Sequence, residues 1–167
     1  MSLDLIIGPD PIFKKTANPV AVVDDEIREL CDDLTAMLYE HNAVGAAAPM
    51  VGILKRIIVV DLQEDGVKNP FAMINPEIIT RSDETQIFEE GSICFPEISA
   101  EIRRAKSINV KYLNECGSQK TMEAEGYLAS VIQHELDYLD GIIYLDHLSA
   151  VRRNMLLKKA KKIKLKY

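Results

Sequence analysis

The sequence predicts an α+β fold built as one domain across residues 1–167, and three observations carry that expectation. The segment EGYLASVIQHELDYLDG sets Tyr127, Val131, His134 and Tyr138 on one helical stripe, with Leu128, Ile132, Glu135 and Leu139 on the next. Two adjacent stripes of this kind describe a helix buried over most of its circumference. Short β-rich runs, among them RIIVVDL, TQIFEEGSICFPEI and KSINVKYL, alternate with polar turns. No internal repeat or low-complexity linker divides the chain.

Taken in order, the elements have local causes. Ile27, Leu30, Cys31, Leu34, Leu38 and His41 recur at three- and four-residue spacings, so a helix runs from about Asp24 to His41, capped by Asp24 or Asp25. AVGAAAPMVG is small and glycine-bearing, a tight loop packed on the core. RIIVVDL reads as a buried strand, and FAMINPEII as a strand start broken at Asn75-Pro76. TQIFEEGSICFPEI, KSINVKYL and roughly QKTMEA follow as strands. The central helix over residues 125–140 ends at Gly141. IIYL reads as one more strand, and Ser149 caps a basic C-terminal helix.

Composition excludes several classes. Apolar residues make up 47% and charged residues 28%, the balance of a globular protein. No run approaches the ~18 apolar residues of a membrane span. The start, MSLDLIIGPD, lacks a basic region before an apolar block, so no secretory leader is expected. Cys31, Cys94 and Cys116 are odd in number and show no C-x-x-C spacing, which predicts free thiols in a reducing cytoplasm. The net charge of −6 hides an asymmetry: the last 17 residues hold eight of the 20 basic side chains and no acid. An acidic body therefore carries a basic tail.

Three segments bear on chemistry. In H-E-x-x-H on a helix, residues i and i+4 share a face and grip one zinc, while the Glu takes a proton from metal-bound water. Here His134 and Glu135 are present, but the i+4 position is Tyr138. A buried ionisable pair costs several kcal/mol, on the order of buried ions generally, so partners should lie near it. EEGSICFPEI, residues 89–98, is a strand end and turn able to present Ser92 and the Ile93 N–H. Gly45, in AVGAAAP, allows close backbone approach.

In this order and spacing, VGAAAP, INPEI, EEGSICFP and EAEGYLASVIQHELDYLDG resemble the peptide deformylase family over essentially the whole length. The resemblance implies antiparallel sheets around a central helix that bears the HELDY segment, with N-terminal and C-terminal helices. It also implies the family reaction, removal of the N-formyl group from the N-terminal methionine of nascent proteins. Fe²⁺ or Zn²⁺ is held in that family by a Cys and two His, which map here to Ser92, His134 and Tyr138.

The departures set the functional expectation. Only His134 remains as a family ligand. Serine is neutral at pH 7, and tyrosine ligates only as a phenolate. Met50 replaces the family Gln that donates to the developing oxyanion, and a thioether cannot donate. Cys94 stands where the family has serine; on a strand it would lie about 6.5–7 Å from Ser92, too far to replace the first ligand. Gly45, the Ile93 N–H and Glu135 are the retained catalytic positions. The expectation is a deformylase-like protein with metal-dependent activity lost or greatly reduced, and with no cofactor.

Two alternatives stand beside it. One is an altered hydrolase using Ser92 with His134, or a non-standard metal site that includes Tyr138. Glu135, next to His134 in sequence, points about 100° away around the helix and is poorly placed to orient that histidine. The other is a binding module, holding a nascent-peptide N-terminus or docking on the ribosome through the basic helix from about residue 149. His41 and His147 fall outside the matched positions and read as surface or packed histidines.

Overall fold

A computed structural model of the protein describes residues 2–167. Helix α1, Asp25–Glu40, begins where Asp24 accepts a hydrogen bond from the Ile27 N–H, and its buried stripe is Ile27, Cys31, Leu34, Met37 and Leu38. Seven strands follow: β1 Gly45–Ala47, β2 Ile57–Val60, β3 Phe71–Arg81, β4 Thr85–Ser92, β5 Phe95–Ala105, β6 Ser107–Leu113 and β7 Gln119–Glu125. They form a five-stranded antiparallel sheet in the order β1-β2-β3-β6-β7 and a separate β4-β5 hairpin. Helix α2, Gly126–Leu139, touches strands of both sheets, and helix α3, Ala150–Lys164, packs on β5.

Helix α2 is the centre of the molecule. Every residue from Ala129 to Leu139 is buried except Asp137, which is partly so. Full burial of a side chain such as Ile132, Leu136 or Leu139 is worth about 1.5–3 kcal/mol, enough together to offset the ionisable pair on the same helix. Two glutamines tie the helix down. The Gln86 amide donates to the Gly126 carbonyl and the Ser130 hydroxyl, and the Gln133 amide donates to the Ala105 carbonyl. Gly141 has φ 72°, the left-handed conformation that ends a helix and favours glycine.

Several expectations change. The AVGAAAPMVG segment is not only a loop: Gly45–Ala47 pairs with β2 as an edge strand before a 3-10 turn at Ala48–Val51. Asn75-Pro76 does not break β3 but makes a bulge in it, with the register shifting between Ile74 and Glu77. Pro76 has no N–H to give the ladder, and Asn75, at φ 52°, spends its amide on both backbone groups of Val20. IIYL is not a strand. Tyr144–His147 winds instead into a 3-10 turn that buries Tyr144 and Leu145, with the Tyr144 hydroxyl donating to the Ile98 carbonyl. Strand β5 extends well past the expected FPEI. The basic C-terminal helix forms as expected, with Ser149 Oγ accepting from the Arg152 N–H. No helix of the described residues is long and apolar enough to cross a membrane.

Candidate active site

A cleft of about 320 Å³ opens between the two sheets at the start of α2. Its walls come from residues 42–45 leading into β1, residues 89–93 at the end of β4, and Tyr127, Ser130, Val131, His134 and Glu135 of α2, with Met50 also lining it. Strand β1 is the outer strand of its sheet, and β4 has only β5 for a neighbour. Two open strand edges thus border one cleft, an arrangement that receives extended peptide backbone.

The structure brings Gly45, Met50, Ser92, Ile93, His134 and Glu135 to this cleft. Tyr138 lies one helical turn beyond His134, fully buried, with ring centroids 5.8 Å apart. Its hydroxyl and that of Ser92 hydrogen-bond at 2.8 Å. Burial drives the Tyr138 phenol well above its ordinary pKa. Ser92 also accepts from the Cys94 N–H at 3.3 Å. Among the described residues, no three His, Cys, Asp or Glu side chains gather as a metal-holding group.

Cys94 departs from the expected strand geometry. Ile93 and Cys94 form the two-residue turn between β4 and β5, so the chain folds back instead of extending. The Cys94 N–H therefore donates to Ser92 Oγ, and its thiol lies near Ser92 and Tyr138. It is fully buried, and burial pushes its pKa far up, so it stays a thiol.

His134 is oriented by a residue the sequence reading missed. Its Nδ1 lies 2.7 Å from Glu90 Oε1, which leaves Nε2 for any other partner. Arg104 grips Glu90 with two bonds, Nε to Oε2 at 2.7 Å and a terminal nitrogen to Oε1 at 3.0 Å. Its other terminal nitrogen donates to Asp137 Oδ2 at 2.8 Å, which also bonds His147 Nε2 at 2.8 Å. Burial alone would raise the carboxyl pKa values of Glu90 and Asp137, yet these partners hold both below the usual range. Burial opposes the charged form of His134 as well, but the Glu90 bond and the nearby carboxylates raise its pKa. His147, expected as a surface or packed histidine, is the outer end of this network.

Two signals could have found these residues. A buried His-Glu pair demanded partners, and Glu90 directly precedes Gly91 in a segment already linked to the site. Ile98, Ala100, Ile102 and Arg104 share one buried face of β5, so an arginine holds a position where the alternation calls for an apolar residue.

Glu135 has no comparable support. It is 4% exposed, and its Oε1 is buried with no hydrogen-bond partner. Burial first, and then the Glu90 charge, raise its carboxyl to about 7, against a lowering effect of His134. Its side chain lies directly on Gly45, where a Cβ would meet Glu135 Oε2 at 2.6 Å. The glycine is required by the glutamate. Ser92 and His134 both line the cleft, but the Ser92 hydroxyl bonds Tyr138 and His134 Nδ1 bonds Glu90.

The residue pattern of the polypeptide deformylase family matches residues 3–154. A peptide deformylase-like protein of Rickettsia conorii is 50% identical over 155 residues, spanning 93% of this chain and 85% of that protein. A peptide deformylase of Mesorhizobium japonicum is 42% identical over 160 residues, spanning 95% of this chain and 91% of that one. The crystal structure of peptide deformylase from Ehrlichia chaffeensis has a TM-score of 0.92 and 31% identity, over 99% of this chain and 98% of its own.

Proposed function

The chain belongs to the polypeptide deformylase family, and on that premise we propose that it keeps the family's peptide cleft without the metal-dependent reaction. The observation that carries this reading is the Ser92–Tyr138 hydroxyl pair, bonded at 2.8 Å where the family holds two of its three metal ligands. That donor set does not fit Fe²⁺ or Zn²⁺. Ionising the phenol works against the burial that raises its pKa, and each hydroxyl already has the other as partner. Cys94 is no replacement, because its thiol is held protonated by burial.

The chemistry follows from the donors. Without a metal, water keeps a pKa of ~15.7 instead of about 7, and Glu135 has no acidified water to deprotonate. Met50 removes a second source of transition-state stabilisation, since loss of one oxyanion donor alone costs about 10²–10³ in rate. The Ile93 N–H is the donor that remains. A serine-nucleophile hydrolase would need the Ser92 hydroxyl on His134 Nε2, and that hydroxyl is bonded to Tyr138 instead.

What remains is a cleft with two open strand edges and a buried carboxylate, suited to the start of a peptide. A cytoplasmic role beside nascent chains belongs to the same proposal, with α3 as a ribosome contact. Arg152, Lys158, Lys159, Lys161 and Lys162 lie along this helix in a chain that is otherwise acidic. Ribosome co-sedimentation that weakens with salt and on removal of residues 151–167 is expected from such a contact. The central test is an assay on a formyl-methionyl peptide with Fe²⁺, Ni²⁺ and Zn²⁺ added in turn, with metal counted after desalting. Near-zero bound metal and no turnover are expected. One metal per chain with turnover like that of an ordinary deformylase would overturn the proposal.

A further inference from the structure

We propose that the cleft selects a peptide with a free, positively charged N-terminal amine, and rejects the N-formylated form, through the Glu135 carboxylate. This rests on the reading above that the cleft holds a peptide start and does not deformylate it.

The argument begins with an imbalance of hydrogen-bonding groups. The cleft is lined by Glu135, a residue 4% exposed whose Oε1 is buried and unpartnered. Leaving such an oxygen dry costs about 1–3 kcal/mol or more, so its retention calls for a donor supplied from outside. Most donors of the same site are committed, which leaves the Ile93 N–H and His134 Nε2. One Arg104 face goes to Glu90 and another nitrogen to Asp137, His134 Nδ1 goes to Glu90, and Ser92 and Tyr138 bond each other. Met50 contributes a thioether, which does not donate.

A formyl group and an ammonium group make opposite demands on this site. The formyl carbonyl needs donors, and the cleft has few to give. An ammonium carries three N–H donors and a charge, and needs a buried acceptor of opposite charge. Glu135 supplies that acceptor on α2, between the open edges of β1 and β4, where an extended chain would begin. The walls around it are apolar at Val44, Met50, Ile93, Tyr127 and Val131, which suits an uncharged first side chain. The occupant that fits is thus the chemical product of a deformylase, an N-terminal apolar residue with its amine exposed.

The test is isothermal titration of the full chain at pH 7.5 with three versions of one tripeptide, Met-Ala-Leu with a free amine, an N-formyl group or an N-acetyl group. Mass spectrometry of each mixture after titration reads any loss of formyl. The free-amine peptide is expected to bind about 10–100-fold more tightly than either acylated form, the range for a charge-assisted hydrogen bond. Glu135→Gln keeps the shape, removes the charge, and is expected to abolish that preference. A wild-type protein that binds the acylated peptides equally well or better, or binds none of them, overturns the inference while the loss of deformylation stands. Conversion of the formyl peptide to the free peptide would instead overturn the proposed function. A Glu135→Gln protein that keeps the full preference would remove Glu135 from the explanation and overturn the inference as stated.

Discussion

The two flanks of His134 solve the same problem differently. On one side, Glu90, Arg104, Asp137 and His147 form a network in which each charge meets an opposite charge or a ring nitrogen. On the other side, Ser92 and Tyr138 satisfy each other, while Glu135 Oε1 meets nothing. Both flanks meet on α2, and Glu90, Arg104, Tyr138 and Glu135 are all buried. The first flank is a structural joint: it ties β4, β5, α2 and the 3-10 turn at Tyr144–His147 together, and it would be destabilising if broken. The second costs stability as it stands. A buried carboxylate kept without a partner marks the flank where a ligand belongs.

The largest expected effect comes from rebuilding the second flank. Met50→Gln, Ser92→Cys, Cys94→Ser and Tyr138→His together restore the family donor set. The combined variant is expected to retain one metal ion per chain and to raise formyl-peptide turnover by at least about 10²–10³, the contribution of the oxyanion donor alone. Metal analysis and the peptide assay measure both. A correctly folded but metal-free variant would show that the difference between the flanks lies deeper than these four side chains.

Breaking the first flank is the next largest effect. Arg104→Met strips Glu90 and Asp137 of their shared cation and is expected to cost about 3–5 kcal/mol, the usual penalty for orphaning a buried charge. Urea unfolding of the two proteins measures it. A loss under about 1 kcal/mol, as for an exposed pair, would mean that the network is not the joint described here.

Glu135→Gln sharpens the comparison through pH. The wild-type carboxyl rises from 4.5 to about 7 on folding. Between those values the folded chain holds a proton that the unfolded chain has released, so this group makes stability fall as pH rises through that window, and level off above it. Glu135→Gln removes the slope. Its advantage over wild type is expected to grow by about 1–3 kcal/mol from pH 4.5 to pH 8. Thermal melts at both pH values check this, and a constant difference would sink it. An effect of similar size is expected from Gly45→Ala, whose new Cβ meets Glu135 Oε2. It should destabilise by about 1–3 kcal/mol through overpacking, and much less when combined with Glu135→Ala. Equal losses in the two backgrounds would disconnect the glycine from the glutamate.

The sequence alone determined the elements whose causes are local. The Asp24 cap, the apolar stripes of α1 and α2, the Gly141 stop and the Ser149 cap act within a turn or two of helix, so they were legible residue by residue. The family followed from three separated segments in register, and with it the presence of Gly45, Ser92, His134 and Glu135 around one cleft. Four other features depended on the tertiary structure: the bulge at Asn75-Pro76, the 3-10 turn in place of an IIYL strand, the turn that folds Cys94 back onto Ser92 and Tyr138, and the Glu90 support of His134. Each depends on a partner far away in the chain. Asn75 answers to Val20, and Glu90 reaches Arg104 across 14 residues and His134 across 44. Propensity and periodicity report what a residue prefers among its neighbours. A buried polar group is satisfied by whatever the fold brings within about 3 Å of it, and only the folded chain decides which group that is.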